Sequence, residues 1–331
     1  MRAVVAESYG GPNVLALVDR PEPEPGANDV RIAVKAASLN PLDYKIRDGK
    51  TKLVLDVKPP IALGCDVAGI VDKGGSSVTR IKVGDEVFAR LEKNRMGGLA
   101  DKVCADASVV ATKPAKASFE QAAAVPLAGL TALQAFRECA QLVSGQRVLV
   151  HAGAGGVGHL AIQIAKILGL GVVTTTSTKN VDFVRSLGAD EVVDYTKESV
   201  LARGRDLDAV FDTLGGKSEL DSLAAVKSGG VVVGVGGLPD MVFAREWLPG
   251  FARPIIWLGT MRRRRAAKRA HARFVYLFMR PDGTQLAELA GWIDAGTLTP
   301  VLHRAYPLAE FREAFTELER GRARGKIVLT L

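Results

Sequence analysis

The spacing of apolar residues changes character near residue 118. Before it, short β-like runs (Val30 to Val34, Gly69 to Val71, Asp85 to Ala89, Val109 to Ala111) are separated by Gly and Pro turns, which predicts a β-rich region with irregular loops. After it, strand-like and helix-like stretches alternate. Val148-Leu149-Val150 leads into a glycine turn, Leu160, Ile164 and Ile167 then recur at helical spacing, and Gly169 and Gly171 end that stretch before Val172-Val173. Phe211-Asp212 and the run Gly230 to Gly236 continue the alternation. Such alternation implies a parallel sheet with helices on both faces. Leu286 to Ile293 and Leu308 to Leu318 read as amphipathic helices, and Gly325 to Leu331 as a last strand. The expected organisation is a β-rich domain, 1–117, completed by 284–331, with a nucleotide-binding domain, 118–260, inserted in it and a separate segment, 261–283, between them.

The turn Gly153-Ala154-Gly155-Gly156-Val157-Gly158 has the GxGxxG form in the strand–turn–helix context that gives the pattern meaning. Gly153 permits the tight turn, Gly155 lets the backbone approach a pyrophosphate, and Gly158 allows the helix to pack closely on the strand. The amides of a helix starting near Gly156 and Val157, with the positive end of its dipole, would hold the phosphates. A glycine turn in an α/β core with no ligand is the plainer alternative.

The end of the second strand bears on which dinucleotide binds. An NAD site usually places Asp or Glu about 20 residues after the glycines, on the ribose hydroxyls. Here that strand ends Thr174 to Asn180, and the first acid after Gly158 is Asp182, already in the next helix. Ser177 and Thr178 offer hydroxyls and Lys179 a charge, which suits a 2′-phosphate and favours NADPH over NADH. Ser177 could equally cap the helix running through Val181, Val184 and Leu187.

Bulk properties then narrow the class. The 331 residues, 47% hydrophobic and 24% charged, have the composition of a soluble globular protein. No run approaches ~18 apolar residues, and the N-terminus enters a strand without the order of a signal peptide, so a cytoplasmic protein without membrane insertion is expected. Cys65, Cys104 and Cys139 lie far apart, encoding neither a disulfide framework nor a thiolate zinc site. The net charge of +8 is matched by residues 261–280 alone, which hold eight Lys or Arg and no acid. A basic face spread over the whole fold is therefore not encoded, and nucleic acid is not the expected partner. The segment reads as a solvated helix rim followed by an apolar docking half (Phe274, Val275, Leu277, Phe278), with RNA, acidic lipid or an acidic protein as alternatives.

Taken together, Ala37 to Asp43, Gly64-Cys65-Asp66-Val67-Ala68-Gly69, Val83 to Val87, Gly129-Leu130-Thr131-Ala132, the Ala152 to Gly158 turn, Leu187 to Asp190 and Gly321 to Lys326 resemble the medium-chain dehydrogenase/reductase superfamily. Within it the chain is similar to the zinc-free quinone oxidoreductase and enone (alkenal) reductase branch, near the reticulon-interacting NADPH oxidoreductase group. The resemblance implies a Rossmann doubly wound sheet inserted in a GroES-like catalytic domain. It places the nicotinamide against Thr131 and the Gly234-Val235-Gly236 turn. It also places Ser177, Lys179 and Tyr195 around the 2′-phosphate, and Arg322 near the cofactor. Asn180 stands where many relatives carry lysine. Where zinc alcohol dehydrogenases carry their three ligands, this chain has Asn40, Cys65 and roughly Leu127, and a single thiol does not hold a catalytic Zn²⁺.

The expected chemistry is hydride transfer from NADPH to a quinone or to the C=C bond of an α,β-unsaturated carbonyl, with no metal. Tyr44 and Lys45 could donate a proton and Asn40 could hydrogen-bond a carbonyl oxygen, although loop packing and a solvated ammonium explain Tyr44 and Lys45 as well. An enoyl-thioester reductase is the enzymatic alternative. A non-catalytic NADPH-binding protein contacting RNA or a partner through Arg262 to Arg265 is the other. The run Gly229 to Leu238 reads as the last strand of the nucleotide sheet, whose uncovered edge would join a homodimer.

Overall fold

A computed structural model describes residues 1–202 and 205–331. The chain divides into two compact units, Met1–Leu130 with Arg280–Leu331, and Thr131–Met279.

The first unit opens with strands β1 (Arg2–Ala6), β2 (Leu15–Asp19) and β3 (Asp29–Ser38), then helix α1 (Pro41–Arg47). Strands β4 (Ile61–Ala62), β5 (Asp66–Gly74), β6 (Glu86–Arg90), β7 (Lys102–Asp106) and β8 (Val110–Thr112) follow, then helices α2 (Phe119–Ala123) and α3 (Pro126–Gln134), the last running into the second unit. Ser118 caps α2 by accepting from Gln121 N at 3.2 Å while Gln121 reaches back to Ser118 N at 3.1 Å, so the change of period at residue 118 coincides with a capping box.

In the second unit β9 (Arg147–Val150), α4 (Gly158–Ile167), β10 (Gly171–Thr176), α5 (Val181–Ser186), β11 (Glu191–Asp194), β12 (Leu207–Asp212), α6 (Lys217–Ala225) and β13 (Val226–Gly234) alternate. Helices α7 (Met241–Trp247), α8 (Arg253–Gly259) and α9 (Met261–Arg269) lead to β14 (Arg273–Tyr276). The chain then returns to the first unit through α10 (Gly283–Asp294), β15 (Leu302–Pro307), α11 (Phe311–Glu319) and β16 (Lys326–Thr330).

The second unit's sheet is parallel, in the order β11-β10-β9-β12-β13-β14. This is the dinucleotide-binding order, with the topological switch between β9 and β12. The central strands are buried on both faces, so Val148 to Val150 and Val231 to Val233 read as unbroken apolar runs. In the first unit the main sheet is β15-β16-β3-β5-β6-β8, with β7 on β3, and β2-β1-β4 form a smaller one.

Two expectations are corrected here. The run Gly229 to Leu238 is not the edge of the sheet, because Val231 to Gly234 pair with Arg273 to Tyr276 of β14. Nor is 261–279 a segment apart from the nucleotide domain. Its basic half is α9, and of its apolar half Phe274 and Val275 are sheet residues of β14. β-branched and aromatic residues at Phe274, Val275 and Tyr276 favour the extended state, and the β13 backbone was the partner that the local pattern could not name. Among the described residues, no helix is long and apolar enough to cross a membrane.

Candidate functional site

The chemistry-bearing residues form two groups, one in each unit. In the second unit the glycine turn joins β9 to α4. A Cβ on Gly153 would lie 2.1 Å from Thr174 Oγ1, and one on Gly158 would lie 2.2 Å from the Ala152 carbonyl oxygen, so both are required by packing. At Gly155 a Cβ would make a tight contact, 3.2 Å from the Ala152 carbonyl oxygen, without the overlap found at the other two, so packing demands glycine less strictly there. The helix itself starts at Gly158, two residues later than Gly156, and its first i→i−4 bond runs from His159 N to Gly155 O at 3.2 Å. The amides of Gly156, Val157 and Gly158 thus belong to the turn where orphan donors collect, as an NAD(P)H pyrophosphate requires.

Beneath the turn lies a polar chain that sequence reading did not find. His151 stands 3.2 Å from Thr175 Oγ1 and 3.1 Å from Ser222 Oγ, and Ser222 and Ser218 donate to Asp212 Oδ2 at 3.0 and 2.6 Å. Asp212 Oδ1 accepts from Leu214 N and Gly215 N, both at 2.9 Å. These contacts tie together the carboxyl ends of β9, β10 and β12. Burial pulls the His151 imidazole below its ordinary pKa and so favours the neutral ring. Ser218 and Ser222, one helical turn apart on α6 and just after the strand-end Asp212, are the signal that could have exposed the network.

At the end of β10, Lys179 and Tyr195 are exposed and Ser177 is half-buried. Among the described residues Ser177 makes no side-chain bond to the helix backbone, and its hydroxyl accepts only a 3.4 Å contact from Asn180 Nδ2, so capping does not consume it. One expectation changes. The absence of an acid along β10 does not leave the strand end free of carboxylate, because parallel pairing sets Asp194 of β11 beside Thr176. Thr178 donates to Asp194 Oδ2 at 2.6 Å and Thr196 to its Oδ1 at 2.6 Å, and these hydroxyls hold the Asp194 carboxyl down to about 2. Thr178 is thereby committed to the protein, and Ser177 and Lys179 remain for a phosphate.

Further along, Val235 N donates to Asp212 O at 3.1 Å, which fixes the turn after β13 against the end of β12. A Cβ on Gly234 would lie 2.6 Å from Phe274 Cζ, and Gly236 packs against the backbone of Thr213 and Leu214. Thr131 is buried, and Arg322, in the first unit, is exposed.

The first unit's group surrounds Asn40, the residue before α1. Asp43 is fully buried and accepts from Asn40 N at 2.7 Å and Gly64 N at 3.1 Å. Burial outweighs those donors and raises its carboxyl to about 6. Asn40 is 2% exposed. Its Nδ2 donates to Asp66 Oδ2 at 2.9 Å and its Oδ1 accepts from Lys326 Nζ at 2.5 Å. Both ends of the carboxamide are engaged inside the protein, which differs from the expected contact with a substrate carbonyl. Lys326 also donates to Leu39 O at 3.1 Å and stands 3.9 Å from Asp66, whose other oxygen accepts from Leu127 N at 3.0 Å. Burial lowers the Lys326 ammonium and raises both the Asp66 carboxyl and, strongly, the Cys65 thiol. Sequence reading missed Lys326 as a member, since 286 residues separate it from Asn40.

The three zinc-ligand positions named above therefore hold a hydrogen-bonded carboxamide, a thiol kept protonated and an alkyl chain, beside a buried ammonium. That donor set does not fit Zn²⁺. Among the described residues no group of three His, Cys, Asp or Glu could hold a metal ion. On α1, Tyr44 is half-buried and Lys45 exposed, and desolvation against the protein and then the charge of Lys50 lower the Lys45 ammonium.

Residues 26–135 match the alcohol dehydrogenase GroES-like domain and residues 187–329 the zinc-binding dehydrogenase domain. The chain is 36% identical over 340 residues to the chloroplastic NADPH-dependent alkenal/one oxidoreductase of Arabidopsis thaliana, covering 99% of this chain and 79% of that protein. It is 33% identical over 326 residues to the mitochondrial NAD(P)H oxidoreductase RTN4IP1 of Mus musculus, covering 92% and 82%. The fold matches the quinone oxidoreductase from Coxiella burnetii with a TM-score of 0.84 at 36% identity, covering 100% of this chain and 99% of the other. With a glycine cradle at the switch point of a Rossmann sheet in one unit and a GroES-like domain in the other, the chain belongs to the medium-chain dehydrogenase/reductase superfamily, among NAD(P)H oxidoreductases close to the quinone and alkenal reductases.

Proposed function

We propose that the protein is a zinc-independent, NADPH-dependent reductase of quinones or of the C=C bond of α,β-unsaturated carbonyls. The observation that carries the zinc-free reading is the Lys326 ammonium, 2.5 Å from the Asn40 oxygen at the position of a metal ligand, where a fixed buried cation would repel Zn²⁺. Ser177 and Lys179, both left uncommitted to helix capping, support the 2′-phosphate of NADPH, as does Tyr195 by resemblance, which also places Arg322 near the cofactor.

Bound NADPH supplies the hydride and leaves as NADP⁺. When hydride adds to the β-carbon of an enone, the C=C pair moves toward the carbonyl oxygen and the resulting enolate takes a proton at its α-carbon. Tyr44 and Lys45 are the proposed donors to that oxygen or carbon, and the lowered Lys45 ammonium gives up its proton more readily. A quinone needs the same hydride and a proton on oxygen. Asn40 acts one step back, as the residue that fixes the start of α1 and so the direction of Tyr44.

The protein is further proposed to be a homodimer, joined through β14. That strand pairs with β13 on one side only among the described residues, and in the same unit Val242, Phe251 and Ile255, on the segment from α7 to α8, are 70%, 70% and 66% exposed.

The test is NADPH oxidation, followed by absorbance, with a 1,4-quinone, a short 2-alkenal, a cyclic enone and crotonyl-CoA, repeated with NADH and after treatment with a chelator. Turnover of quinone, alkenal or enone with NADPH, unaffected by chelation, supports the reading. Preference for crotonyl-CoA in kcat/KM would move it to an enoyl-thioester reductase, and loss of activity on chelation would overturn the zinc-free reading.

A further inference from the structure

The run Arg262 to Arg265 is the least ordinary feature of the sequence, and its four members do not share one fate. Arg262, Arg264 and Arg265 are exposed, whereas Arg263 is 5% exposed. The Arg263 guanidinium donates through Nη1 to Glu219 Oε2 at 2.9 Å and to Leu238 O at 2.6 Å, and through Nη2 to Pro239 O at 2.8 Å, and it lies 3.8 Å from the centre of the Phe274 ring. It thus joins four pieces of chain: α9, the start of α6, the loop after β13, and β14.

That loop is held at every step. Gly237 has φ +71°, and a Cβ there would lie 2.6 Å from Glu219 Oε1, while one on Gly215 would lie 2.5 Å from Gly237 N. Asp240 then accepts from Phe243 N at 2.8 Å and from Tyr276 N at 2.9 Å. Upstream, Val235 N is bound to Asp212 O at 3.1 Å. Residues 235–240 are therefore a short bridge whose far end is clasped by Arg263 and Asp240 and whose near end is the turn that the family resemblance sets against the nicotinamide.

We infer that Arg263, with Glu219, is a positioning residue for hydride transfer: it fixes the loop whose Val235 carbonyl and Gly236 backbone groups orient the nicotinamide carboxamide, the Val235 amide being held by Asp212 O. The inference rests on the NADPH reading above. A buried ion pair is often no more stabilising than apolar side chains of similar volume, so stability alone is a weak reason to place a guanidinium here. Two backbone carbonyls and a carboxylate converging on one planar group set direction, and reacting atoms displaced by ~1 Å can lose ~10²-fold in rate. Pyrophosphate and 2′-phosphate, bound elsewhere on the sheet, supply most of the affinity in this scheme, so the loop governs rate more than binding.

The experiment compares wild type with R263M, R263K and E219Q. For each, NADPH affinity is measured by fluorescence titration, the emission spectrum of bound NADPH reports the nicotinamide's surroundings, and single-turnover oxidation by a 1,4-quinone gives the hydride step. Thermal unfolding is recorded alongside. R263M is expected to keep NADPH affinity within about threefold, to shift bound emission toward that of free NADPH, and to slow the hydride step by about 10 to 100-fold. R263K, with its charge but no planar fork, should recover only part of the rate. A folded R263M with wild-type emission and rate overturns the inference, as does lowered thermal stability with emission and rate unchanged. Should R263M not fold, E219Q, which keeps an acceptor for Arg263, is expected to give a smaller change of the same kind, and unchanged emission and rate in it would also overturn the proposal. Wild-type protein that binds no NADPH refutes the coenzyme reading itself, a result distinct from the variant outcomes.

Discussion

Replacing Lys326 by methionine removes the one buried cation that contacts Asn40, and the structure sets the size of the effect. The ammonium stands 3.9 Å from the Asp66 carboxylate, an attraction of about 4 kcal/mol at an effective dielectric constant near 20. It also donates to Leu39 O at 3.1 Å and to Asn40 Oδ1 at 2.5 Å. Against these stands the cost of keeping an ammonium out of water, which the variant no longer bears. What remains after substitution is a fully buried carboxylate that has lost its ammonium partner but keeps donors from Asn40 Nδ2, Leu127 N and Ser38 Oγ, and breaking a buried pair from one side costs about 3–5 kcal/mol, here toward the low end. Urea unfolding at neutral pH measures the loss through Trp292, which lies in the first unit, in a W247F/W257F background that silences the second unit's tryptophans. The midpoint should fall with the slope unchanged. D66N/K326M, with neither charge, should be more stable than the sum of the single losses by at least ~1 kcal/mol, because the two sites are coupled. The reasoning is refuted if K326M stays within ~1 kcal/mol of its parent, or if the two losses simply add.

Other expectations follow from the same geometry. Asp43, raised by burial to about 6 from 3.8, binds its proton more tightly folded than unfolded, so its stabilising contribution is complete below about pH 4 and is lost as pH rises through about 6. D43N should therefore flatten the fall of the urea midpoint across that window, and an unchanged pH slope would contradict the assignment. G155A, whose Cβ would press on the Ala152 carbonyl oxygen at 3.2 Å, should fold with a modest loss of thermal stability yet weaken NADPH binding by about 10-fold or more on titration, since the methyl group stands where a phosphate must approach. K179A and S177A should each weaken NADPH by about 3 to 10-fold while leaving NADH affinity nearly unaltered, and equal losses for both coenzymes would remove these residues from the 2′-phosphate site. Sedimentation velocity should show a dimer at micromolar concentration, and a monodisperse monomer would dismiss the β14 interface.

Much of this protein was written locally. Val148 to Ile162 needs only its own residues to make strand, turn and helix, because apolar period, glycine placement and helix start all sit within fifteen residues. The capping box at Ser118 and the alternation after it are similarly self-contained. Tertiary structure decided what depends on partners far along the chain. Strand pairing brought Asp194 beside Thr176, although nothing along β10 announces a carboxylate. The sheet recruited Phe274 to Tyr276 as a sixth strand and so moved the edge from β13 to β14. In the run Arg262 to Arg265, four like residues in a row carry no mark of which one is buried; helix rotation turned Arg263 alone toward Glu219, Leu238 and Pro239. Lys326 likewise reads as a last-strand lysine until β16 pairs with β3 and sets its ammonium on Asn40. Period and turn chemistry are short-range and survive in the order of residues, whereas the partner of a buried charge exists only after the chain has folded back on itself.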